Sequence, residues 1–496
     1  MSMIKVDNLT FCYPSGYDNI FEDVSFQIDT DWKLGFIGRN GRGKTTFFNL
    51  LLGRYEYRGK ITASVQFDYF PYPVKDKSAL TCDVLRGVCP DAEEWQLNRE
   101  LSLLEVDAAD VLWRPFDTLS NGEQTKVLLA ALFLNEGHFL LIDEPTNHLD
   151  CAARENVAEY LRRKKGFILV SHDRRFLDGC VDHILSLNRA NIEVQSGNFS
   201  SWMTNFQRQQ EYEQTQNERL RKDIKRLQQA ARRAADWSDK AESRKIGFDP
   251  RNTEKSIGRR SYEGMKAKKM MSRAKAISQR REAAIEEKSE LLKNYESAEN
   301  LKLSPLTYHS STLVSFTGVA VSYDGRTVCD PVTFSVRRGD RIVLDGRNGS
   351  GKSSLLKLLV GQPIDHTGTV SVGSGVVISY VPQDTSHLRG TLDRYAEENG
   401  IDESLFKAIL RKMDFQRVQF DKDMADFSGG QKKKVLIAHS LCTQAHLYVW
   451  DEPLNFIDIY SRMQIEQLLS DFEPTMIFVE HDAEFRDTIA TEIVSL

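Results

Sequence analysis

Two kinds of apolar pattern appear in this chain, and the first of them appears twice. Near the start, Ile4-Lys5-Val6 and Val24-Ser25-Phe26-Gln27-Ile28 alternate apolar with polar positions and predict strands. Unbroken apolar runs follow at Leu34-Gly35-Phe36-Ile37, Leu140-Leu141-Ile142 and Phe167-Ile168-Leu169-Val170, the pattern of strands buried in a parallel sheet. Helical runs stand between them, at 47–52 and as an amphipathic stretch over 124–134. The succession returns in the second half, where Tyr448-Val449-Trp450 and Phe478-Val479 are again short buried-type strands. Strand–loop–helix units of this kind predict an α/β fold in each half.

The middle, about 203–305, has a different period. Leu220, Ile224, Leu227, Ala231 and Ala234 step by fours and threes, and Ala267, Met270, Ala274, Ile277 and Ala284 do the same on the way back. Between the two seams Gly247-Phe248-Asp249-Pro250 and Gly258 break the helical pattern. The pattern predicts a long antiparallel helical hairpin with an irregular tip at about 240–262, its outbound helix over 203–240 about 57 Å long. The expected division is a first domain at 1–202, the hairpin at 203–305 and a second domain at 306–496.

Composition narrows the class. A length of 496 residues suits about three domains, and 41 % hydrophobic with 28 % charged residues suits a soluble globular chain. No run of about 18 apolar residues occurs, and the start, Met1-Ser2-Met3-Ile4-Lys5, lacks a signal-peptide core. Seven scattered cysteines without a C-x-x-C pair favour neither zinc nor a disulfide framework, so the reducing cytoplasm is the expected compartment. The net charge of −5 is unevenly spread: residues 221–280 hold 19 Lys/Arg against 7 Asp/Glu, a local +12 that leaves −17 elsewhere. That asymmetry points to a polyanionic partner for the middle segment, with a solvated helical face as the plainer alternative.

The chemistry sits at the strand ends. Gly38-Arg39-Asn40-Gly41-Arg42-Gly43-Lys44-Thr45-Thr46 is a complete P-loop between a strand and a helix. Its glycines turn backbone N–H groups toward phosphates, Lys44 would hold the β/γ-phosphates and the Thr45 hydroxyl a Mg²⁺ ion. Asp143 suits a second Mg²⁺ ligand, Glu144 the attacking water, and His172 closes the next strand at the end where open sheets bind ligands. Ser120 in Leu119-Ser120-Asn121-Gly122-Glu123 can cap the following helix. The second half repeats every part: Gly346-Arg347-Asn348-Gly349-Ser350-Gly351-Lys352-Ser353, Phe427-Ser428-Gly429-Gly430-Gln431, Asp451-Glu452 and His481. Lys44/Lys352, Ser120/Ser428 and Asp143/Asp451 are all offset by 308, His172/His481 by 309 and Tyr13/Tyr323 by 310. A tandem repeat explains that constancy.

These motifs, twice and in order, resemble the ATP-binding-cassette (ABC) ATPases: Walker A, signature, Walker B, D-loop (Asn147-His148-Leu149-Asp150; Asn455-Phe456-Ile457-Asp458) and switch histidine. The resemblance implies two cassettes closed head to tail in one monomeric chain, hydrolysing ATP with Mg²⁺. One site would combine Gly38, Asn40, Gly41, Gly43, Lys44, Thr45, Thr46, Asp143, Glu144 and His172 with Ser428, Gly429 and Gly430. The other would combine Gly346, Asn348, Gly349, Gly351, Lys352, Ser353, Ser354, Gln383, Asp451, Glu452 and His481 with Ser120, Asn121 and Gly122. It also implies metal ligation by Thr45 and Asp143, and by Ser353, Gln383 and Asp451, and adenine stacking on Tyr13 and Tyr323. This chain departs from the pattern in three places. Asn121 replaces a signature glycine, where a positive-φ turn is expected to be kept but stiffened. Tyr72 stands where the second half has Gln383, and Phe427 replaces the usual leucine. Unequal sites are expected.

Two cassettes with a charged hairpin between them, preceded by Gly197-Asn198-Phe199-Ser200-Ser201-Trp202, resemble the ABC-F subfamily. That resemblance implies a ribosomal partner: the E site, large-subunit proteins, 23S rRNA and the P-site tRNA. Arg221, Lys222, Lys225, Arg226, Arg232, Arg233, Lys245 and Phe248 would face RNA, and no membrane partner is expected. The interval from Walker A to signature, 45 to 120 and 353 to 428, leaves no room for the extra arm of the housekeeping members, and no C-terminal coiled coil follows the last strand. With Trp32-Lys33-Leu34-Gly35, Val111-Leu112-Trp113-Arg114-Pro115-Phe116 and Trp450-Asp451-Glu452-Pro453-Leu454-Asn455, the chain looks like the antibiotic-resistance branch, of Lsa/Vga type. Protection against lincosamides, streptogramin A and pleuromutilins is then implied. A housekeeping translation factor is the alternative, and a DNA-acting or transporter ATPase a more distant one.

Overall fold

The computed structural model describes residues 2–14, 19–147, 149–187, 191–246, 301–323 and 326–496. The chain divides into two compact units, Met1–Trp202 with Ala298–Leu496, and Met203–Ser297. The first unit holds both cassettes.

The first cassette is built on two sheets. The strands are β1 (Met3–Phe11), β2 (Phe21–Asp29), β3 (Lys33–Gly38), β4 (Arg58–Thr62), β5 (Gln66–Phe70), β6 (His138–Asp143), β7 (Phe167–Val170), β8 (His183–Leu187) and β9 (Ile192–Ser196). An antiparallel sheet runs β2-β1-β4, and the central sheet runs β5-β6-β7-β3-β8-β9. In the central sheet all neighbours are parallel except β8 and β9. All four residues of β7 are buried, as are Phe139 to Ile142 of β6, which is why these strands read as unbroken apolar runs.

The second cassette repeats the plan with β10 (Thr312–Tyr323), β11 (Arg326–Thr327), β12 (Val332–Arg337), β13 (Arg341–Asp345), β14 (His366–Val372), β15 (Ile378–Val381), β16 (Leu447–Asp451), β17 (Met476–Val479) and β18 (Glu492–Ser495). Its central sheet is parallel throughout, in the order β15-β16-β17-β13-β18. In both cassettes the three central strands, β6-β7-β3 and β16-β17-β13, are direct neighbours. Their carboxyl ends therefore bring together the P-loop, the paired acids and the histidine, which are far apart in sequence.

Two elements differ from the sequence reading. The run at 124–134 belongs to the helix Asn121–Leu132, whose residues 127–132 are all buried. It is a covered core helix rather than an amphipathic one. The outbound linker helix spans Phe199–Ile246, so it starts four residues earlier and ends six later than expected, a length of ~72 Å. The early start has a local cause. Asn198 Oδ1 accepts from the Ser201 amide at 3.1 Å, capping the helix, while Phe199 and Trp202 are buried with ring centroids 5.7 Å apart. The Gly-Asn-Phe-Ser-x-Trp motif is thus a helix start. No helix among the described residues is long and apolar enough to cross a membrane.

Candidate functional site

Each P-loop wraps the start of its helix in the same way. Gly43 precedes the helix Lys44–Leu51 with φ 106°, and a Cβ there would lie 2.5 Å from Ile20 Cγ2, so only glycine fits. Gly41, Gly349 and Gly351 are also left-handed. The buried Lys44 ammonium donates to the carbonyls of Gly38 at 2.7 Å and Arg39 at 3.3 Å, and to Asn40 Oδ1 at 3.2 Å. Lys352 donates to Gly346 at 2.6 Å and Arg347 at 2.9 Å. Burial lowers the pKa of both lysines against the pull of neighbouring carboxylates. Thr45 Oγ1 donates to Asp143 Oδ2 at 3.0 Å, and Ser353 Oγ to Asp451 Oδ1 at 3.0 Å. The Tyr13 hydroxyl lies 2.8 Å from Thr46 Oγ1, and Tyr323 2.9 Å from Ser354 Oγ. The structure so places both tyrosines, Thr46 and Ser354 beside their own P-loops.

The acids beyond β6 and β16 share one strained backbone geometry. The Glu144 amide donates to Val170 O at 2.9 Å and the Glu452 amide to Val479 O at 3.0 Å, with φ 51° and 46°. Two non-glycine residues in this left-handed region, at the same place in both cassettes, mark a position whose side-chain direction is worth the conformational cost. Their electrostatics differ. Glu452 Oε2 accepts from Gln383 Nε2 at 2.8 Å and from Asn455 Nδ2, and its Oε1 lies 3.6 Å from His481 Nε2. Burial alone would raise its pKa, but His481, Gln383 and Lys433 bring it below the usual range. Against burial, Cys151 and Glu452 hold His481 up to about 9.

Glu144 has no such escort. Tyr72, at the position of Gln383, lies on the surface, 36 % exposed. Glu144 Oε1 is buried without a hydrogen-bond partner, 3.4 Å from His172 Nε2. Asn40 Nδ2 donates to Phe456 O at 2.7 Å, so its Oδ1 must accept; His172, 3.0 Å away, donates to it from Nε2. Burial and the Lys44 charge keep His172 well below its ordinary pKa. Burial, then Asp143, pushes Glu144 up to about 8. Asp143 also accepts from the Tyr69 hydroxyl at 3.1 Å, a contact the sequence reading missed. The matching Tyr380 hydroxyl is buried and unpartnered, as is Asp451 Oδ2. Gln383 is held on Glu452 rather than on the Ser353–Asp451 pair.

Both signature segments start helices. Ser120 Oγ accepts from the Glu123 amide at 3.2 Å and Ser428 Oγ from the Gln431 amide at 3.3 Å, each in a reciprocal capping box. The expectation of a positive-φ turn at Asn121 is corrected: Asn121 and Gly429 are ordinary first residues of helices, and neither has φ above zero. The glycine that matters is Gly430, where a Cβ would lie 2.4 Å from Phe456 O.

The cassettes meet in two unequal places. A cleft of about 990 Å³ is lined by Ser120, Asn121, Gly122 and Glu105 of the first cassette. Its other wall is Arg347, Asn348, Gly349, Lys352, Gln383 and Glu452 of the second. The first P-loop instead packs directly on the other cassette. Asn40 reaches Phe456, Arg39 and Arg42 lie 3.5 and 3.6 Å from Asp414 Oδ2, and Arg39 stacks 5.5 Å over the Tyr460 ring. Sequence reasoning could find the arginines inside the motif but had no signal for Asp414.

In the linker helix Lys222, Lys225 and Arg226 are exposed. Arg221, Arg232, Arg233 and Lys245 lie on the same helix. Phe248, His148 of the first D-loop and the returning helix lie outside the described residues.

Comparison with known proteins agrees with the tandem plan. The family profile described as ABC transporter matches residues 21–147 and 329–455. The ribosome protection protein VmlR of Bacillus subtilis is 27 % identical over 480 residues, covering 94 % of this chain and 82 % of its own. The energy-dependent translational throttle protein EttA of Haemophilus influenzae is 27 % identical over 529 residues, covering 96 % and 89 %. Among solved structures, an archaeal ribosome recycling factor, aABCE1, in complex with the ribosomal stalk protein aP1 superposes with a TM-score of 0.63 at 18 % identity, covering 98 % of this chain and 87 % of that one.

Proposed function

Because this chain belongs to the ABC transporter family and is an ATPase with two cassettes in one polypeptide, a plan that with these relatives supports placement among the ABC-F proteins, we propose that it is a ribosome-acting ATP clamp that protects the peptidyl-transferase centre from antibiotics. The observation that carries the clamp is the shared cleft, in which the first signature faces the second P-loop. ATP held there touches both cassettes, so binding favours closure and hydrolysis favours opening.

In this reading Lys44 and Lys352 hold the β/γ-phosphates, while Ser120–Gly122 and Ser428–Gly430 present helix N-termini to the γ-phosphate of the opposite site. Tyr13 and Tyr323 stack on adenine. Thr45 with Asp143, and Ser353 with Asp451 and Gln383, hold Mg²⁺. Paired hydroxyl and carboxylate oxygens, one of them the buried unpartnered Asp451 Oδ2, are the hard donor set this ion takes. Glu144 and Glu452 position and deprotonate water, and His172 and His481 steady them.

The hairpin at 203–305 is the output arm. Its +12 over 221–280 suits phosphate contacts to rRNA and tRNA, with Arg221, Lys222, Lys225, Arg226, Arg232, Arg233 and Lys245 on the outbound helix and Phe248 at the tip. Entry from the E site in the cytoplasm would bring that tip toward the P-site tRNA and the drug site. VmlR, by its name a ribosome protection protein, supports a protective role; the drugs we propose, lincosamides, streptogramin A and pleuromutilins, follow from the resemblance to the resistance branch. EttA, by its name a translational throttle, favours a housekeeping role as the second reading.

Drug susceptibility decides between them in cells expressing the intact chain, the Glu144→Gln/Glu452→Gln form or a deletion of residues 247–258. Resistance lost in both altered forms is expected. Unchanged susceptibility with the intact chain would sink the protective role, and failure to cosediment with ribosomes in non-hydrolysable ATP would sink the partner.

A further inference from the structure

One buried cation ties together the segments that carry the two switch histidines. Arg154 sits on the helix Cys151–Arg163, just after the first D-loop, and is 9 % exposed. Its Nε donates to Leu149 O at 3.1 Å, and its Nη1 to Asp173 Oδ2 at 2.9 Å and to the His481 carbonyl at 3.1 Å. Cys151 Sγ approaches the same carbonyl at 3.4 Å. Asp173 follows His172 and caps the next helix through the Phe176 amide at 2.9 Å. One guanidinium therefore links the end of β7 in the first cassette to the end of β17 in the second.

The counterpart Arg462 makes no such crossing. It donates to Ile457 O at 2.9 Å, Asp482 Oδ2 at 2.7 Å and Leu454 O at 2.9 Å, all within its own cassette. Arg154 and His481 both stand on the wall of the shared cleft, but the guanidinium is largely buried there, and a charge-assisted bond in such a place is strong and directional. A shift of the His481 carbonyl would carry the ring away from Glu452, 3.6 Å distant.

We propose that Arg154 is a positioning residue acting in trans: through it and Asp173 the first cassette holds His481 against Glu452 and sets the hydrolysis rate of the second site. This rests on the assignment of Glu452 and His481 to the second ATP site. Arg462 offers no equivalent hold on the first site; the second cassette reaches His172 by a different route, through Phe456 and Asn40.

Single-turnover hydrolysis of radiolabelled ATP by the full chain tests it, with Glu144→Gln reporting the second site and Glu452→Gln the first. Arg154→Lys keeps a cation for Asp173 but loses the planar group whose Nε bond to Leu149 O aims Nη1 at Asp173 and the His481 carbonyl together. The second-site rate should fall about tenfold and half-saturating ATP stay within about twofold, as for an interaction that acts on the chemical step. The first site should slow by less than about threefold and Tm should hold. Asp173→Asn retains the cap yet frees the guanidinium, and should slow the second site although, among the described residues, the Asp173 side chain hydrogen-bonds within the first cassette. An unchanged second-site rate in both variants, or an equal loss at both sites, overturns the proposal. Single-turnover hydrolysis surviving in Glu144→Gln/Glu452→Gln overturns the site assignment, and the coupling with it.

Discussion

Glu144 and Glu452 end equivalent strands with the same backbone turn, yet their carboxyls are tuned in opposite directions. Burial, then Asp143, pushes Glu144 up to about 8, whereas His481, Gln383 and Lys433 outweigh burial at Glu452 and pull it down. A carboxyl raised in the fold binds its proton more tightly there than in the unfolded chain, so stability falls as pH climbs from about 4.3 toward 8. Glu144→Gln removes that cost and should raise stability by ~4 kcal/mol near pH 7.5 and by ~1 kcal/mol near pH 5. Glu452 contributes stability above its unfolded pKa, so Glu452→Gln should lower Tm at the same pH. Thermal melts of both variants check the opposite signs. His481, held up to about 9, adds stability below about pH 6.5 that is lost as pH rises through 9, so wild-type Tm should decline across that window. The rates carry the same signature: single-turnover hydrolysis by Glu452→Gln, which isolates the first site, should rise with pH through about 8. Hydrolysis by Glu144→Gln should lack that limb; identical profiles would remove the electrostatic distinction between the sites.

The signature helices show how one motif can need glycine for different reasons. A Cβ on Gly430 would meet Phe456 O at 2.4 Å, while one on Gly122 would meet only Leu149 Cδ2 at 3.5 Å. Gly430→Ala should therefore push the first P-loop off its partner and cost about 1–3 kcal/mol, whereas Gly122→Ala should be tolerated, as urea midpoints of the two variants would show. The contrast also marks what could be read from sequence. The P-loops and capped helix starts were legible because their chemistry is local: glycines, a lysine and a capping serine at fixed spacing. The runs Leu140-Leu141-Ile142 and Phe167-Ile168-Leu169-Val170 were legible because double burial leaves them wholly apolar. The turn expected at Asn121 failed because Asn121 is the first residue of a helix capped by Ser120, and the need for glycine in the repeat falls at Gly430, set by the Phe456 carbonyl 26 positions on and not by the local backbone. Asp414, Tyr69 and the reach of Arg154 stayed hidden for the same reason: each matters only through a segment distant in sequence.

At the scale of the whole clamp, the two sites differ in how far they are shut. Asp414 follows the helix Glu403–Lys412 with φ 65° and pairs with Arg39 and Arg42 of the opposite P-loop. Glu105 follows the helix Glu94–Leu103 with φ 54°, the same place in the repeat, and Arg347 is the counterpart of Arg39. Both line the open cleft. The first site thus already holds an acid–arginine latch whose equivalent in the second site has its two halves on facing walls. Closure on nucleotide should bring Arg347 to Glu105 as Arg39 is brought to Asp414. The Arg39 and Arg42 pairs are mostly shielded, with side chains 12 to 24 % exposed, so breaking them should cost ~1 kcal/mol, equivalent to about a fivefold change in dwell time. Asp414→Ala should speed release of a fluorescent ATP analogue from the slowly exchanging site by that factor, and rising salt should narrow the gap to wild type. Glu105→Ala should leave that release alone and instead slow closure of the second site after ATP is added. If both variants altered the same kinetic phase, the clamp would close as one body, and the inequality between its sites would end at their carboxylates.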